Sequence, residues 1–266
     1  MKRAMTKSLR RKHADQIEGW WHEFYPLFHP LFGLIPKRTT QAEVRHFVKK
    51  LGLKKGMSFL DCPCGVGRIS IPMAELGIRV TGVDVIPSFL DELQERAHKK
   101  NLTIPTFHSD MRRINFKNEF DAAGNLWTSF GFFEDADNLL VIKKMYQALK
   151  PGGRFLLHVI NRDWILGHFQ SSDWHEIGDI RSLESREFDF ETSTSRSIFI
   201  HLRDGMENQV RSDIRMYSYH ELLAMFREAG FVEIEGYGTM KNEPISLMHR
   251  MIFVVGTKPK RSRIRR

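Results

Sequence analysis

The chain has 266 residues, 41% of them hydrophobic, and a formal net charge of +9 at pH 7. This length and apolar content can bury one sizeable core, so we expect one main domain with some insertion. Because no apolar run approaches the roughly 18 residues that span a bilayer, and the basic start lacks the apolar stretch of a secretory signal, we predict a cytoplasmic protein with no membrane partner.

The positive charge is concentrated at the two ends of the chain. Twelve basic residues lie within 2–12 and 258–266 with no acid among them, which leaves 29 basic against 32 acidic residues and about −3 elsewhere. Basic ends can add affinity for phosphates, but solvated tails are the simpler interpretation of such charge runs. We therefore expect basic tails at both ends, and a nucleic-acid partner is disfavoured without being excluded.

The first predicted element is an aromatic segment within 1–38. Six aromatic side chains fall in a short stretch that three prolines interrupt: Trp20, Trp21, Phe24, Tyr25, Phe28 and Phe32. Packing of this segment on the back of a sheet is one interpretation. A domain over 39–257 and a basic tail at 258–266 follow it.

Within that domain, strand patterns alternate with helical ones. Thr40 and Glu43 have capping-box spacing, which predicts a helix that begins there, and Ser218 with Glu221 has the same spacing. Alternating strands and amphipathic helices predict an α/β fold, a doubly wound and mostly parallel sheet with right-handed crossovers.

The most informative stretch runs from Phe59 to Arg68 with the sequence FLDCPCGVGR, and Asp84 closes the following strand. It predicts a strand, a tight glycine turn and a helix start, then a second strand that ends in an acid. Glycines in such a turn let a ligand approach the backbone, and the acid can accept hydrogen bonds from ribose hydroxyls. The pattern therefore indicates a cofactor that contains a nucleoside.

The spacing separates two kinds of nucleoside cofactor. A dinucleotide fingerprint needs a third glycine for close helix packing, and Ser70 stands at that place. The remaining acid-x-x-x-G-x-G pattern, from Asp61 to Gly67, resembles motif I of the class I S-adenosylmethionine (SAM) dependent methyltransferases. Pro63 replaces one glycine of that motif, so the turn at Pro63 must need neither a positive φ nor an N–H donor.

Later segments extend the resemblance over roughly 39–257. They are Ser109–Arg112, Asn125–Thr128 and Leu149–Phe155. The sequence of the chain most resembles those of bacterial small-molecule methyltransferases. The resemblance implies a Rossmann-like, seven-stranded, mostly parallel sheet and transfer of a methyl group from SAM. It also implies an N-terminal segment that folds over the cofactor as a lid, the alternative interpretation of the aromatic residues.

The resemblance further implies which positions hold the cofactor. Asp110 would accept from the adenine amino group, and Arg38 and Arg68 would face the methionine carboxylate. The full set of implied cofactor contacts is Arg38, Asp61, Gly65, Gly67, Arg68, Asp84, Val85, Asp110, Met111, Asn125 and Leu126.

An insertion is predicted at 161–217, between the fifth strand and the helix that Ser218 starts. Its alternating apolar residues and the Asp204-Gly205 dipeptide are typical of antiparallel hairpins. Such an insertion could roof a pocket or pair with another subunit, so a monomer and a homodimer both remain open. Open parallel sheets bind their ligands at the carboxyl ends of the strands. The residues expected to contact the methyl acceptor there are Tyr25, Thr128, Asn161 and Arg162.

No metal site is predicted, because Cys62 and Cys64 are the only cysteines and their turn offers no further ligand at suitable spacing. His158 lies in an apolar strand, where a histidine is more often a core residue than a base, and we assign no catalytic residue. The sequence thus predicts a SAM-dependent methyltransferase acting on a nitrogen or oxygen of a small molecule. An RNA or protein methyltransferase aided by the tails and a SAM-binding regulatory protein without turnover are the alternatives.

Overall fold

A computed structural model describes residues 19–177, 180–203 and 205–260. Its elements form two compact units, Met1–Ile35 with Phe169–Met216 and Pro36–His168 with Tyr217–Arg266, of which we describe only the residues in those ranges. No helix among them is long and apolar enough to cross a membrane. The basic N-terminal residues and the last six residues lie outside the described ranges.

The helices in chain order are α1 (Trp21–Phe32), α2 (Lys37–Leu51), α3 (Ser70–Glu75), α4 (Pro87–His98), α5 (Asp135–Ala148), α6 (Arg162–Gly167) and α7 (Tyr219–Ala229). The strands are β1 (Ser58–Asp61), β2 (Arg79–Asp84), β3 (Thr106–His108), β4 (Phe120–Asn125), β5 (Leu149–Ile160), β6 (Ser172–Ile177), β7 (Ile180–Asp189), β8 (Thr194–Arg203), β9 (Met206–Arg215), β10 (Val232–Tyr237) and β11 (Met251–Thr257).

The larger unit is built on a seven-stranded sheet with the order β10-β11-β5-β4-β1-β2-β3. Strands β1 to β5 pair in parallel, whereas β11 is antiparallel to both of its neighbours. The predicted doubly wound, mostly parallel fold is confirmed. Since the parallel strands all end at one edge, the last residues of β1, β2 and β4 meet there.

The two predicted capping boxes have different outcomes. Ser218 and Glu221 form the box that begins α7, with both reciprocal hydrogen bonds present. The box at Thr40 and Glu43 is wrong, because α2 already begins at Lys37 after Pro36, and both side chains are buried inside the helix. Pro36 can precede the first turn without losing a helical hydrogen bond, so the helix starts earlier than the spacing indicated.

The smaller unit contains a four-stranded antiparallel sheet in the order β6-β7-β8-β9. An antiparallel insertion is therefore present as predicted, although α6, which the same prediction included, groups with the larger unit. Helix α1 of this unit contains the aromatic segment except Trp20, which precedes its first residue, and two of the prolines, Pro26 and Pro30.

Lys258, which the sequence analysis placed in the C-terminal tail, is part of the fold. Its ammonium donates to the Tyr146 and Leu149 carbonyls at 2.9 and 2.8 Å, and its backbone bonds Gly152 and Gly153. Lys258, which directly follows the last residue of β11, thus hydrogen-bonds to the start of β5.

Candidate functional site

A glycine turn connects β1 to α3. Gly65 and Gly67 have φ values of +52° and +79°, a region that residues with a Cβ rarely adopt. A Cβ on Gly67 would lie 2.8 Å from the Leu93 side chain, whereas one on Gly65 would meet no atom within 4 Å. The backbone at Gly65 therefore faces open space, as a ligand that approaches the main chain requires.

Asp84 ends β2 beside this turn. Its carboxylate accepts hydrogen bonds from the backbone N–H groups of Gly65 at 2.8 Å and Ile86 at 3.0 Å. Burial raises the pKa of Asp84, and these N–H groups oppose that effect. Because a carboxylate has about four acceptor positions, Asp84 can both hold the turn and accept from a ligand hydroxyl.

Asp61 ends β1 on the other side of the turn. It is 2% exposed, and the hydroxyl of Ser70 donates to its Oδ2 at 2.5 Å. Burial raises the pKa of Asp61 to about 7, with Ser70 and Arg68 acting in the opposite direction.

This pKa predicts a pH-dependent stability. The folded carboxyl keeps its proton up to about pH 7, whereas the unfolded one loses it near pH 3.9, at about the reference value. Since the folded state binds more protons between those values, Asp61 costs stability as pH rises through this window, by up to about 1.4 kcal/mol per pH unit. We expect Asp61→Asn to gain stability relative to the wild type from about pH 4 to 7, measured by urea unfolding. Parallel curves for the two proteins would contradict this, and Asp91→Asn on the exposed face of α4 is the control.

Arg68 is held from three directions in the first turn after the glycines. Its Nη1 donates to Thr40 Oγ1 at 3.0 Å and to Glu43 Oε2 at 2.6 Å, and its guanidinium lies 3.8 Å from the centre of the Trp127 ring. Its buried Nη2 has no hydrogen-bond partner among the described residues. A buried donor without a partner is costly, so this geometry fits an anionic ligand group beside Nη2.

The backbone after β4 is strained where that strand ends. Trp127 and Thr128 have φ values of +58° and +61°, which cost on the order of 1–3 kcal/mol each for residues other than glycine. The Thr128 N–H donates to the His158 carbonyl at 2.9 Å, which fixes the turn. Such strain clusters at ligand sites, and here it brings the Trp127 ring against Arg68.

Asn125, the last residue of β4, is fully buried. Its Nδ2 donates to the Ser129 carbonyl at 3.0 Å and lies 3.6 Å from the Met111 sulfur, while its Oδ1 has no partner among the described residues. The neighbouring Leu126 is buried as well. One end of this amide therefore remains available to a ligand donor.

Asp110 follows β3 and is strongly bound by Arg112. The Arg112 guanidinium donates to both carboxylate oxygens, and its backbone N–H donates to Oδ1 at 2.8 Å. Burial tends to raise the pKa of Asp110, but these bonds hold it below the usual value. Arg112 itself lies 2.7 Å from Asp137 and 4.0 Å from the centre of the Phe133 ring.

These positions lie within a region that a family model matches. Residues 59–153 match the family described as "Methyltransferase domain". The chain is also 24% identical to the "Putative methyltransferase GWCH70_2453" of Geobacillus sp. (strain WCH70), over 90% of this chain and 99% of that protein. The chain is a class I SAM-dependent methyltransferase.

Other relatives of this methyltransferase share shorter regions or the fold alone. It is 31% identical to the "Ubiquinone biosynthesis O-methyltransferase" of Ruegeria pomeroyi (strain ATCC 700808 / DSM 15171 / DSS-3), over 57% of this chain and 62% of that enzyme. The SAM-bound structure of CalS10, "an amino pentose methyltransferase from Micromonospora echinaspora", superposes with a TM-score of 0.65 at 18% identity, over 88% and 97% of the two chains.

The residues present fit the cofactor of the family, SAM. The open backbone at Gly65 offers a cradle, Arg68 Nη2 a cation and Asn125 Oδ1 an acceptor, and neither of these two atoms has a partner in the part of the chain that the structure describes. Arg38, by contrast, is exposed in the first turn of α2. The roles of the predicted cofactor residues, including the half-buried Val85 beside Asp84, stay predictions.

Two of the predicted acceptor contacts are occupied by structural bonds in the methyltransferase. Asn161 caps α6 by accepting from the Asp163 N–H, and its Nδ2 donates to the Ser246 and His249 carbonyls at 3.1 and 2.9 Å. Arg162 pairs with Asp163 and, at 3.2 Å, with Glu221. The structure does not support an acceptor contact for Asn161, because both of its donors are already used.

The other two predicted acceptor contacts stay predictions. Thr128 is half-buried in the strained turn after β4. Tyr25 lies on α1 in the smaller unit.

His158 is a neutral, buried residue of β5. Its ring stacks on Phe253 at 4.2 Å between centroids, and neither ring nitrogen has a partner among the described residues. Burial lowers the pKa of His158 to about 3, with Arg68 and His46 adding to the effect. This is the core histidine that its apolar strand indicated.

We therefore expect His158→Phe to keep turnover within about two-fold. Its free energy of unfolding should rise by on the order of 1 kcal/mol, because two polar atoms with no partner among the described residues leave the core. Steady-state kinetics and urea unfolding measure the two effects. A general base contributes about 10²–10⁴ in rate, so a loss of that size would identify His158 as catalytic instead.

Sequence reasoning missed four residues that position this site. They are Thr40 and Glu43, which hold Arg68, Trp127, which stacks on it, and Ser70, which donates to Asp61. Only Thr40 and Glu43 gave a signal in the sequence, a polar pair at i and i+3, and it was interpreted as a helix cap.

Proposed function

We propose that this methyltransferase transfers the methyl group of SAM to a nitrogen or oxygen of a small molecule. The observation that carries the proposal is the charge of the chain between its basic ends, about −3. Neutralising phosphates requires Lys and Arg on the binding surface, and this charge balance disfavours a nucleic-acid acceptor.

The relatives support the same class of acceptor without choosing the atom. One is named for ubiquinone biosynthesis and O-methylation, and CalS10 is described as acting on an amino pentose. Both descriptions concern small molecules, one with an oxygen acceptor and the other with an amino sugar. The acceptor atom of this chain is accordingly left as nitrogen or oxygen.

SAM supplies a methyl group on a sulfonium, which is electrophilic without further activation. The protein therefore has to hold the acceptor in line with the bond that breaks, and positioning of this kind can lower the barrier by about 7–11 kcal/mol. Arg68 would bind the methionine carboxylate through Nη2, since Glu43, Thr40 and Trp127 already fix the rest of its guanidinium.

The remaining cofactor contacts follow the strand ends. Asp84 would accept from the ribose hydroxyls while it keeps the Gly65 N–H. Asp110 and Met111 would border the adenine, with the Asp110 carboxylate fixed in place by Arg112. Asn125 would accept through Oδ1 near the transferring methyl group.

A strong general base is not part of the proposal. The pKa of His158 is about 3 because the ring is buried, so this imidazole is a weak proton acceptor. An amine that arrives unprotonated needs no base. An oxygen acceptor could lose its proton to water or to another group of the same acceptor molecule.

Product analysis with methyl-labelled SAM tests the proposal. The full chain is incubated with a metabolite extract, and label is followed by mass spectrometry in the small-molecule, RNA and protein fractions. We expect label in a small molecule, and much less of it from Arg68→Met at the same subsaturating concentration of SAM. Label confined to RNA or protein, or SAM binding without transfer to any fraction, would refute the proposal in favour of the macromolecular or regulatory alternative.

A further inference from the structure

The four-stranded sheet of the smaller unit has two faces with different surroundings. One face is covered by α1, whose Phe24 and Phe28 rings contact Phe199 with centroids 5.4 and 5.0 Å apart. Its buried members include Ser182, Ser197, His201, Val210 and Ser212. Side chains alternate between faces along each strand, so the residues between these point to the opposite side.

The opposite face exposes an apolar row across the strands. Trp174 of β6 pairs with Leu183 of β7, which pairs with Ile200 of β8, and directly paired residues share a face. Trp174 is 62% exposed and Leu183 43%. Leu202 and Ile198, the neighbouring positions of β8 on the same face, extend the apolar area on either side of this row.

Charges of both signs border the apolar area on β9. Glu207 pairs with Leu202 on one side of the Trp174–Ile200 row, and Arg211 pairs with Ile198 on the other. Arg211 also lies 3.8 Å from Asp213 within its own strand. An apolar centre with a polar, charged rim is the usual anatomy of a protein–protein interface.

We propose that this face binds a second copy of the same chain through a two-fold axis that runs along the Trp174–Leu183–Ile200 row. Rotation about that axis keeps each strand opposite itself and exchanges the rows on its two sides. Each of the three residues then meets itself, Leu202 packs on Ile198 of the partner subunit, and Glu207 faces the partner's Arg211. The acid–base contact forms twice, as a self-complementary interface requires.

The dimensions of the sheet suit a stable dimer. The strands lie about 4.8 Å apart and rise about 3.3 Å per residue. Three strands of ten residues and one of six therefore present a face on the order of 600 Å², without the added area of the side chains. Typical specific interfaces bury about 800 Å² on each partner. Tryptophan, here Trp174, is also enriched among the interface residues that dominate binding energy.

The register makes a charge-swap experiment decisive. Sedimentation velocity of the full chain at micromolar concentrations should show a dimer. Glu207→Arg and Arg211→Glu each place like charges opposite one another twice, so each should raise the dimer Kd at least about ten-fold. The double variant, Glu207→Arg with Arg211→Glu, restores both contacts and should return the Kd to within a few-fold of the wild type.

Three results would overturn the proposal: a wild-type monomer throughout, a dimer that neither single variant weakens, or a double variant as weak as the singles. Glu191→Arg, at the exposed turn between β7 and β8, is the matched control and should leave the Kd unchanged. Circular dichroism of every variant separates loss of the interface from loss of folding.

Cross-linking gives an independent measurement. Because facing sheets pack about 10 Å apart, a cysteine at Leu183 would lie opposite its own copy, within reach of a short bis-maleimide. Leu183→Cys should therefore yield covalent dimers, whereas Glu191→Cys should not, and Cys62 and Cys64 are buried. Equal cross-linking of both variants, or none at Leu183→Cys, would count against this arrangement.

Discussion

Asp84→Ala is expected to weaken SAM binding by at least about 100-fold. Hydrogen bonds to a charged group are worth about 1.5–3 kcal/mol each, and two ribose hydroxyls on this carboxylate would account for that factor at about 1.4 kcal/mol per ten-fold. The same substitution releases the Gly65 and Ile86 N–H groups, so the glycine turn loses its support as well. Titration calorimetry with SAM measures the loss.

A second variant separates these two effects. Asp84→Asn keeps an oxygen that can accept from one backbone N–H, so the fold should survive while the negative charge is lost. Asp91→Ala, on an exposed position of α4, is the control and should bind SAM normally. Unchanged affinity in a folded Asp84→Asn and Asp84→Ala pair would show that the cofactor does not rest on this strand end.

Arg68→Met should reduce affinity for SAM and S-adenosylhomocysteine about 10- to 100-fold, the value of one or two charge-assisted hydrogen bonds. Affinity for 5′-methylthioadenosine, which has no carboxylate, should change little. That contrast distinguishes a lost carboxylate contact from a general loss of structure. Calorimetry with the three ligands is sufficient.

Removal of Arg68 also leaves Glu43 buried without its partner. Burial raises the pKa of Glu43 while Arg68 acts to lower it, and breaking such a buried pair typically costs about 3–5 kcal/mol. Adding Glu43→Gln to Arg68→Met should recover stability without recovering affinity. Arg38→Met provides the comparison: a larger loss of SAM affinity there than at Arg68 would assign the carboxylate contact to Arg38 instead.

Local sequence patterns were sufficient wherever the deciding interaction is itself local. The turn after β1 requires glycine at Gly65 and Gly67 because both positions have positive φ. Ser218 caps the helix that directly follows it. Alternation of strands and helices gave the parallel sheet. Because parallel strands end at one edge, the sheet alone places Asp61, Asp84 and Asn125 at the same edge.

The tertiary structure decided the roles that depend on residues far apart in the chain. Thr40 and Glu43 have the spacing of a helix cap, but both lie inside α2. There they accept hydrogen bonds from Arg68, which follows them in the sequence by 28 and 25 positions. Asn161 has the chemistry of a ligand contact, but the carbonyls of Ser246 and His249 use its donors.

The left-handed turn at Trp127 and Thr128 was also decided by the tertiary structure. Neither residue favours positive φ, and the hydrogen bond from Thr128 to the His158 carbonyl helps to hold the turn in place. Composition and spacing thus determined the α/β fold and the glycine turn, since those follow from backbone preference and period, and the resemblance to the methyltransferases supplied the cofactor class. Which polar side chains remain available to a ligand was decided by packing, because a buried donor or acceptor takes whatever partner the folded chain brings to it.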